Sequence, residues 1–240
     1  MLRYDRRGDN VPFADQVADA ISAVETLATR PDIDPKRIGL WGFSQGAWIA
    51  PMVATESDRI AFLVLLGSTG VSPAEQMRYG TVKHAREAGY DEEVVQRIID
   101  LRGLLEDYSR GRIARDVAQH AIDAVGHEPW FEQAYVRRKL PEPPGFWRDM
   151  DFDPTAIFSR VRVPTLLLYG EDDEWQPIDA SIESWRLAAA NAGNDDLTIV
   201  RLNGTRHAPT LGSREGLDAI APAYEETLLA WLAERFPVTA

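Results

Sequence analysis

The segment Gly42-Phe43-Ser44-Gln45-Gly46 sets a serine between two glycines, where an apolar run from Arg37 to Phe43 gives way to a helical pattern reaching Thr55. A serine hydroxyl is a poor nucleophile, so it must be lifted clear of its surroundings and offered to a base. A tight strand-to-helix turn does this and strains the serine backbone. Glycines two residues before and after are expected to relieve the crowding that results. The helix that follows turns its first N–H, that of Gln45, towards any oxyanion that develops.

Such a serine needs an imidazole, and the imidazole needs a carboxylate. The chain has four histidines, His84, His120, His127 and His207. Only His207 follows an apolar strand-like run, in Asn203-Gly-Thr-Arg-His207-Ala-Pro, and loops beyond strand ends are where α/β folds keep their chemistry. The carboxylate is sought in the same kind of place. Gly170-Glu171-Asp172-Asp173-Glu174 follows the run Val163 to Tyr169 and leaves four acids to choose from, three of which are expected to be solvated turn residues. The order serine, aspartate, histidine along the chain separates this arrangement from those of the chymotrypsin and subtilisin types.

The elements that must position these residues read as alternating strands and helices. Phe13, Val17, Ile21, Val24 and Leu27 recur at helical spacing, with Pro31 beyond. Strands are expected at Arg37–Phe43, Ala61–Gly67, Val163–Tyr169 and Leu197–Leu202, with the end of another at Leu2–Tyr4. Helices are expected from Ser44 to Thr55, with Pro51 bending it, at Ile178–Ala192, and at Pro222–Phe236, where Leu228, Leu229, Trp231 and Leu232 are available for a buried side. Between the second and third full strands the character changes. Ser72-Pro73-Ala74-Glu75 is a capping box with proline in the first turn, and a helix should run from it to Gly89. Asp91 can cap a second helix reaching Tyr108, and Ile113–Val125 makes a third. A stretch rich in proline and aromatics follows. The expected architecture is a mostly parallel sheet with helices on both faces, residues 1–71 and 151–240, carrying an inserted helical cap, residues 72–150. The cap aromatics Trp130, Phe131, Phe146 and Trp147 are candidates for an acyl pocket, though residues of this kind more commonly pack a cap together.

Bulk properties exclude other classes. Acidic residues outnumber basic ones 38 to 26, giving a net charge of −12 that disfavours nucleic acid and membrane surfaces as partners. The absence of cysteine rules out disulfides, thiolate metal sites and a cysteine nucleophile. Ile60–Leu66 is the longest apolar run and is too short to span a bilayer, and no apolar signal segment follows Met1, so a cytoplasmic location is the expectation.

With these residues in place, the chain resembles α/β-hydrolases of the bacterial esterase and acyl-peptidase-like group. The matching pieces are Tyr4-Asp5-Arg6-Arg7-Gly8, Asp34 to Gly46, Val163 to Asp173, and His207. The resemblance implies Ser44 as nucleophile, His207 as general base and Asp173 as orienting acid. In that family the acid commonly stands three residues after the glycine ending its strand, which makes Asp172 the alternative. It also implies ester hydrolysis through an acyl-enzyme on a small-molecule substrate, with no metal and no organic cofactor. Thioesterase, lactonase and acyl-aminoacyl peptidase activities share the same three residues.

One departure stands out. The resemblance implies three strands ahead of the Tyr-Asp-Arg-Arg-Gly segment and a His-Gly loop supplying a second oxyanion N–H. No His-Gly pair occurs here, so either the chain lacks an N-terminal part or the sheet closes over the gap. Losing one oxyanion donor typically costs about 10²–10³ in rate, so a catalytically impaired relative is the contrasting reading. The exposed sheet edge would be covered by Phe13 and its helix, or by self-association.

Overall fold

The computed structural model describes residues 1–8, 11–141, 147–211 and 217–237. Along the chain the elements are α1 (Phe13–Ala28), β1 (Ile38–Phe43), α2 (Gly46–Glu56), β2 (Ile60–Leu66), α3 (Pro73–Glu87), α4 (Glu92–Ser109), α5 (Arg115–Val125), α6 (Pro154–Phe158), β3 (Thr165–Gly170), α7 (Ile178–Ala192), β4 (Leu197–Leu202) and α8 (Pro222–Arg235). Short 3-10 turns lie at Phe131–Ala134 and Leu217–Ala219. The chain separates into two compact units, Met1–Val71 with Asp153–Ala240, and Ser72–Phe152.

The first unit is built on a four-stranded sheet in the order β1-β2-β3-β4, every pair parallel. Parallel strands covered on both faces read as continuous apolar runs, as Ile60–Leu66 and Thr165–Gly170 do. Alternation divides their side chains. Val64, Leu66, Leu166, Leu168 and Leu202 face Trp231 of α8, with Leu228 and Leu232 packed beside it. Leu63, Leu65, Leu167 and Tyr169 are fully buried on the opposite side, where Trp185 of α7 and Tyr169 both reach Ser68. Burying each such leucine stabilises the fold by roughly 1.5–3 kcal/mol. Helix α6 braces this layer through Phe158, whose ring stacks on Trp185 at 3.8 Å.

The second unit is helical. Ser72 caps α3 through a complete capping box: its hydroxyl accepts from Glu75 N at 3.3 Å, and the Glu75 carboxylate accepts from Ser72 N at 3.0 Å. The Asp91 carboxylate caps α4 by accepting from Val94 N at 3.0 Å. Its core joins Val95, Ile98, Leu101 and Tyr108 of α4 to Ile122 of α5 and to Trp130, Phe131 and Leu140. The two ends of the unit are tied together by Ala74 N donating to Met150 O at 2.9 Å.

Two expectations need correction, the strand at Leu2–Tyr4 and the burial of Leu229. Leu2–Tyr4 is not a strand, and among the described residues no strand pairs with it. Leu229 is 57% exposed, since α8 turns only one side to the sheet. Helix α2 carries Pro51 inside it and reaches Glu56, close to the expected end at Thr55. Phe13 is buried against Trp48 of α2, with ring centroids 5.8 Å apart. Strand β1 therefore stands at the sheet edge, with Trp41 53% exposed on it. Among the described residues no helix is long and apolar enough to cross a membrane.

Candidate active site

Strand β1 ends at Phe43, and the chain swings through Ser44 into α2. Ser44 has φ 52°, a left-handed conformation that costs a non-glycine residue about 1–3 kcal/mol and persists only where surrounding bonds enforce it. Two such bonds are present: Ser44 N donates to Leu66 O at 3.0 Å, and Ser44 O accepts from Ala47 N at 2.9 Å. The turn is tight enough that a Cβ on Gly42 would fall 2.4 Å from Gly46 O. Gly46 itself has open space where a Cβ would stand. The crowding relieved in this turn is thus at Gly42 alone, and the expectation for Gly46 is corrected. The Gln45 N–H has no acceptor among the described residues, so it is available at the start of α2. The Gln45 side chain accepts from Arg6 Nη1 at 2.8 Å.

The acid loop starts where β3 ends. Gly170 passes directly beneath the chain at Arg206, whose carbonyl oxygen would lie 1.8 Å from a Cβ there. This close approach brings the loop after β3 against the loop after β4. Asp173 is 0% exposed and fully engaged. Its Oδ1 accepts from Trp175 N at 2.8 Å and Gln176 N at 3.1 Å, while His207 Nδ1 stands 2.9 Å from Oδ2. Asp172 points to solvent, and Glu171 pairs with Arg201. Of the four acids, Asp173 is the one at the imidazole. The Asp173 carboxylate thus faces His207 Nδ1, an arrangement that favours a hydrogen bond donated from that nitrogen.

His207 is held on three further sides. Phe43, the residue before Ser44, lies 4.9 Å from it between ring centroids. Glu174 accepts from the His207 backbone N–H at 3.2 Å and from Arg206 Nε at the same distance. Nothing in the spacing of Glu174 sets it apart in the sequence from its acidic neighbours. Beneath the ring lies Gly67 at φ 61°, where a Cβ would come 3.2 Å from His207 Cε1 and 3.6 Å from Asp173 Oδ2. The loop from Gly67 is itself pinned. Tyr169 donates to Ser68 O at 2.7 Å, Trp185 Nε1 to Ser68 Oγ at 2.9 Å, and Gly70 N to Ser181 Oγ at 3.0 Å. Burial first, and the nearby Asp173 charge second, push the Tyr169 phenol well above the usual range, so it stays a donor.

The other sequence candidates lie elsewhere. His84, His120 and His127 belong to the second unit, where His84 packs on Tyr135 and the other two are exposed. Trp130 and Phe131 are taken up by that unit's own core, beneath the guanidinium groups of Arg97 and Arg138. Trp147 lies half-buried beside Arg102, and Phe146 falls outside the described residues. No group of three or more histidine or carboxylate side chains among the described residues could hold a metal ion.

The family model described as the alpha/beta hydrolase family matches residues 2–221. The chain belongs to the α/β-hydrolase family. Within curated relatives, the hydrolase is 25% identical to esterase EstD of Thermotoga maritima over 195 residues, which is 78% of this chain and 40% of that protein. It is 40% identical to thiohydrolase apmlB of Arthrinium phaeospermum over 63 residues, 24% of this chain and 20% of that one. The chain thus spans less than half the length of these relatives. Among solved structures it resembles DcsB in complex with its substrate analogue, with a TM-score of 0.55, 18% identity, and coverage of 96% of this chain and 75% of that one. An esterase from Pyrococcus furiosus gives a TM-score of 0.52 at 14% identity, covering 92% and 60%. At these identities the structures speak for the hydrolase fold alone.

Proposed function

We propose that this α/β-hydrolase is a serine hydrolase that cleaves carboxylic esters of small or medium acyl substrates through an acyl-enzyme. The observation that carries the reading is the buried Asp173–His207 pair, with a strained serine turn beside it whose Phe43 packs on the imidazole. The Ser44 hydroxyl attacks the ester carbonyl as its proton passes to His207 Nε2. Asp173 keeps the ring oriented and stabilises the imidazolium. The Gln45 N–H donates to the oxyanion of the tetrahedral intermediate. Collapse breaks the ester C–O bond, and the imidazolium protonates the departing alcohol. Water then attacks the acyl-serine, giving its proton to His207, and release of the acid restores Ser44. Every proton is returned within the cycle, and the scheme calls on no cofactor.

The test is labelling by a fluorophosphonate probe together with hydrolysis of p-nitrophenyl acetate and butyrate. Labelling and turnover should both vanish in Ser44→Ala. A folded wild-type sample that neither labels nor turns over either ester removes the proposal. The local likeness to a thiohydrolase favours one second reading, cleavage of thioesters by the same residues. Matched oxygen and sulfur esters of one acyl group separate the two by their kcat/KM.

A further inference from the structure

The loops after β3 and β4 meet at His207, and their main chains join them only part of the way. Glu171 N donates to Leu202 O at 3.0 Å, and Asp172 N donates to Thr205 O at 3.1 Å. The Thr205 hydroxyl closes its own turn by donating to Leu202 O at 2.9 Å. Beyond Thr205 no further main-chain bond joins the two loops among the described residues, and one side chain takes up the pairing. Oxygen Oε2 of Glu174 accepts from Arg206 Nε and from His207 N, each at 3.2 Å.

Two consecutive acids therefore hold one histidine at its two ends. Asp173 meets the ring, with Oδ2 2.9 Å from Nδ1, and Glu174 meets the main chain from which the ring grows. The Glu174 side chain is only 14% exposed, so this is not a carboxylate waving in solvent. The two contacts constrain different things. A ring bonded at one nitrogen still swings about that bond when its Cα drifts, and the swing is largest at Nε2, the atom that must meet the Ser44 hydroxyl. Phe43 and Gly67 bound the ring as well, but neither holds the main chain at 207. Both bonds to Glu174 end on the same oxygen. One oxygen with two lone pairs is sufficient for them, and a carboxamide supplies that as a carboxylate does. Without an acceptor there, the His207 N–H is left to compete for water in a partly buried loop.

We propose that Glu174 is a positioning residue of the hydrolase: it sets the place of His207 by accepting the main-chain N–H of that residue, and the site uses its acceptor oxygen rather than its charge. The proposal rests on the reading of His207 as general base. Glu174 acts through the histidine, takes no proton and leaves the ester chemistry as described. Its role differs from that of Asp173, which faces the imidazole itself. A loosened main chain at 207 leaves ester binding intact and slows proton transfer, so the effect belongs in kcat rather than KM.

The experiment follows p-nitrophenyl acetate hydrolysis and amide hydrogen exchange at His207 in the full chain and in Glu174→Leu, Glu174→Gln and Glu174→Asp. Glu174→Leu should lower kcat about tenfold with KM little changed, because a displacement of about half an ångström misaligns the base. Its His207 amide should exchange about tenfold faster than in the wild type, the N–H having lost its acceptor. Glu174→Gln keeps an oxygen at the same reach and should restore kcat to within about threefold of wild type and the slow exchange with it. Glu174→Asp keeps the charge but withdraws the oxygen by one methylene, so it should be slower than Glu174→Gln. That pair carries the test should Glu174→Leu not fold. An active wild type whose folded Glu174→Leu keeps kcat within about twofold overturns the proposal and leaves the hydrolase reading standing. Unchanged exchange at His207 in Glu174→Leu overturns it too, and so does a Glu174→Gln no faster than Glu174→Asp. A folded wild type without turnover overturns the hydrolase reading and this role together.

Discussion

Replacing Gly67 by alanine tests whether the imidazole at 207 acts as the base. Two separate costs arise. The first is backbone strain: at φ 61° an alanine gives up about 1–2 kcal/mol relative to glycine. The second is local contact. The new methyl would stand 3.2 Å from His207 Cε1 and 3.4 Å from Nδ1, so the ring must yield by a few tenths of an ångström. It has little room to do so, with Asp173 bonded at Nδ1 and Phe43 packed on its face. A misplacement of 1 Å can cost about 10² in rate, so a shift of about half that predicts a roughly tenfold loss of kcat with KM little changed. Gly193→Ala is the matched control. It has nearly the same φ, 66°, with nothing within 4 Å of a new Cβ, at the left-handed end of α7. Both variants should lose about 2–8 °C of thermal midpoint, the range expected of such strain in a chain of this length. Only Gly67→Ala should slow p-nitrophenyl acetate hydrolysis. A folded Gly67→Ala with wild-type kcat, or a Gly193→Ala that slows equally, refutes the reasoning.

Asp173→Asn should lower kcat by about 10⁴, because an amide stabilises the wrong tautomer of His207, whereas Asp172→Asn at its exposed position should keep activity within about twofold; ester hydrolysis by the two purified variants decides it. Ser72→Ala removes half the capping box of α3 and should cost about 1 kcal/mol, read from the urea midpoint. Glu106→Ala strips Arg78 and Arg110 of their shared buried partner and should cost about 3 kcal/mol, read the same way, while Glu106→Gln should cost less by keeping acceptors for both. The Asp151 carboxyl is held below its ordinary 3.8 by hydrogen bonds from Arg110. Its contribution is therefore complete above that value and lost as pH falls through the lower folded value, so the urea midpoints of wild type and Asp151→Asn should converge at acid pH and separate near neutrality.

The alternation of strands and helices was legible because strands buried on both faces leave unbroken apolar runs, such as Ile60–Leu66, and because Ser72, Glu75 and Asp91 announce helix starts by side chains that satisfy the first N–H groups. Three features were not legible. Helix α6 has five residues, too few for any period to show. Leu2–Tyr4 has strand-like residues, yet a strand is a property of two segments and a single sequence window carries only one. Asp172 and Asp173 are chemically identical, and what separates them is the fold of residues 170–176, which buries one carboxylate beneath two backbone N–H groups and turns the other outward. The same holds for Gly67 and Glu174. Each matters through where it comes to lie beside His207, and neither carries a local signal for it.

The hydrogen bond between Ala74 N and Met150 O bears on the order of events in folding. Pairing β2 with β3 joins stretches of chain separated by roughly a hundred residues, but once α3 to α5 have assembled and their ends are clasped, the effective loop falls to roughly twenty, lowering its closure cost by about 1 kcal/mol. Clasped ends of the inserted helices would thus favour pairing of β2 with β3. A chain deprived of them by an unstructured linker of equal length should refold more slowly, even where its final sheet is intact.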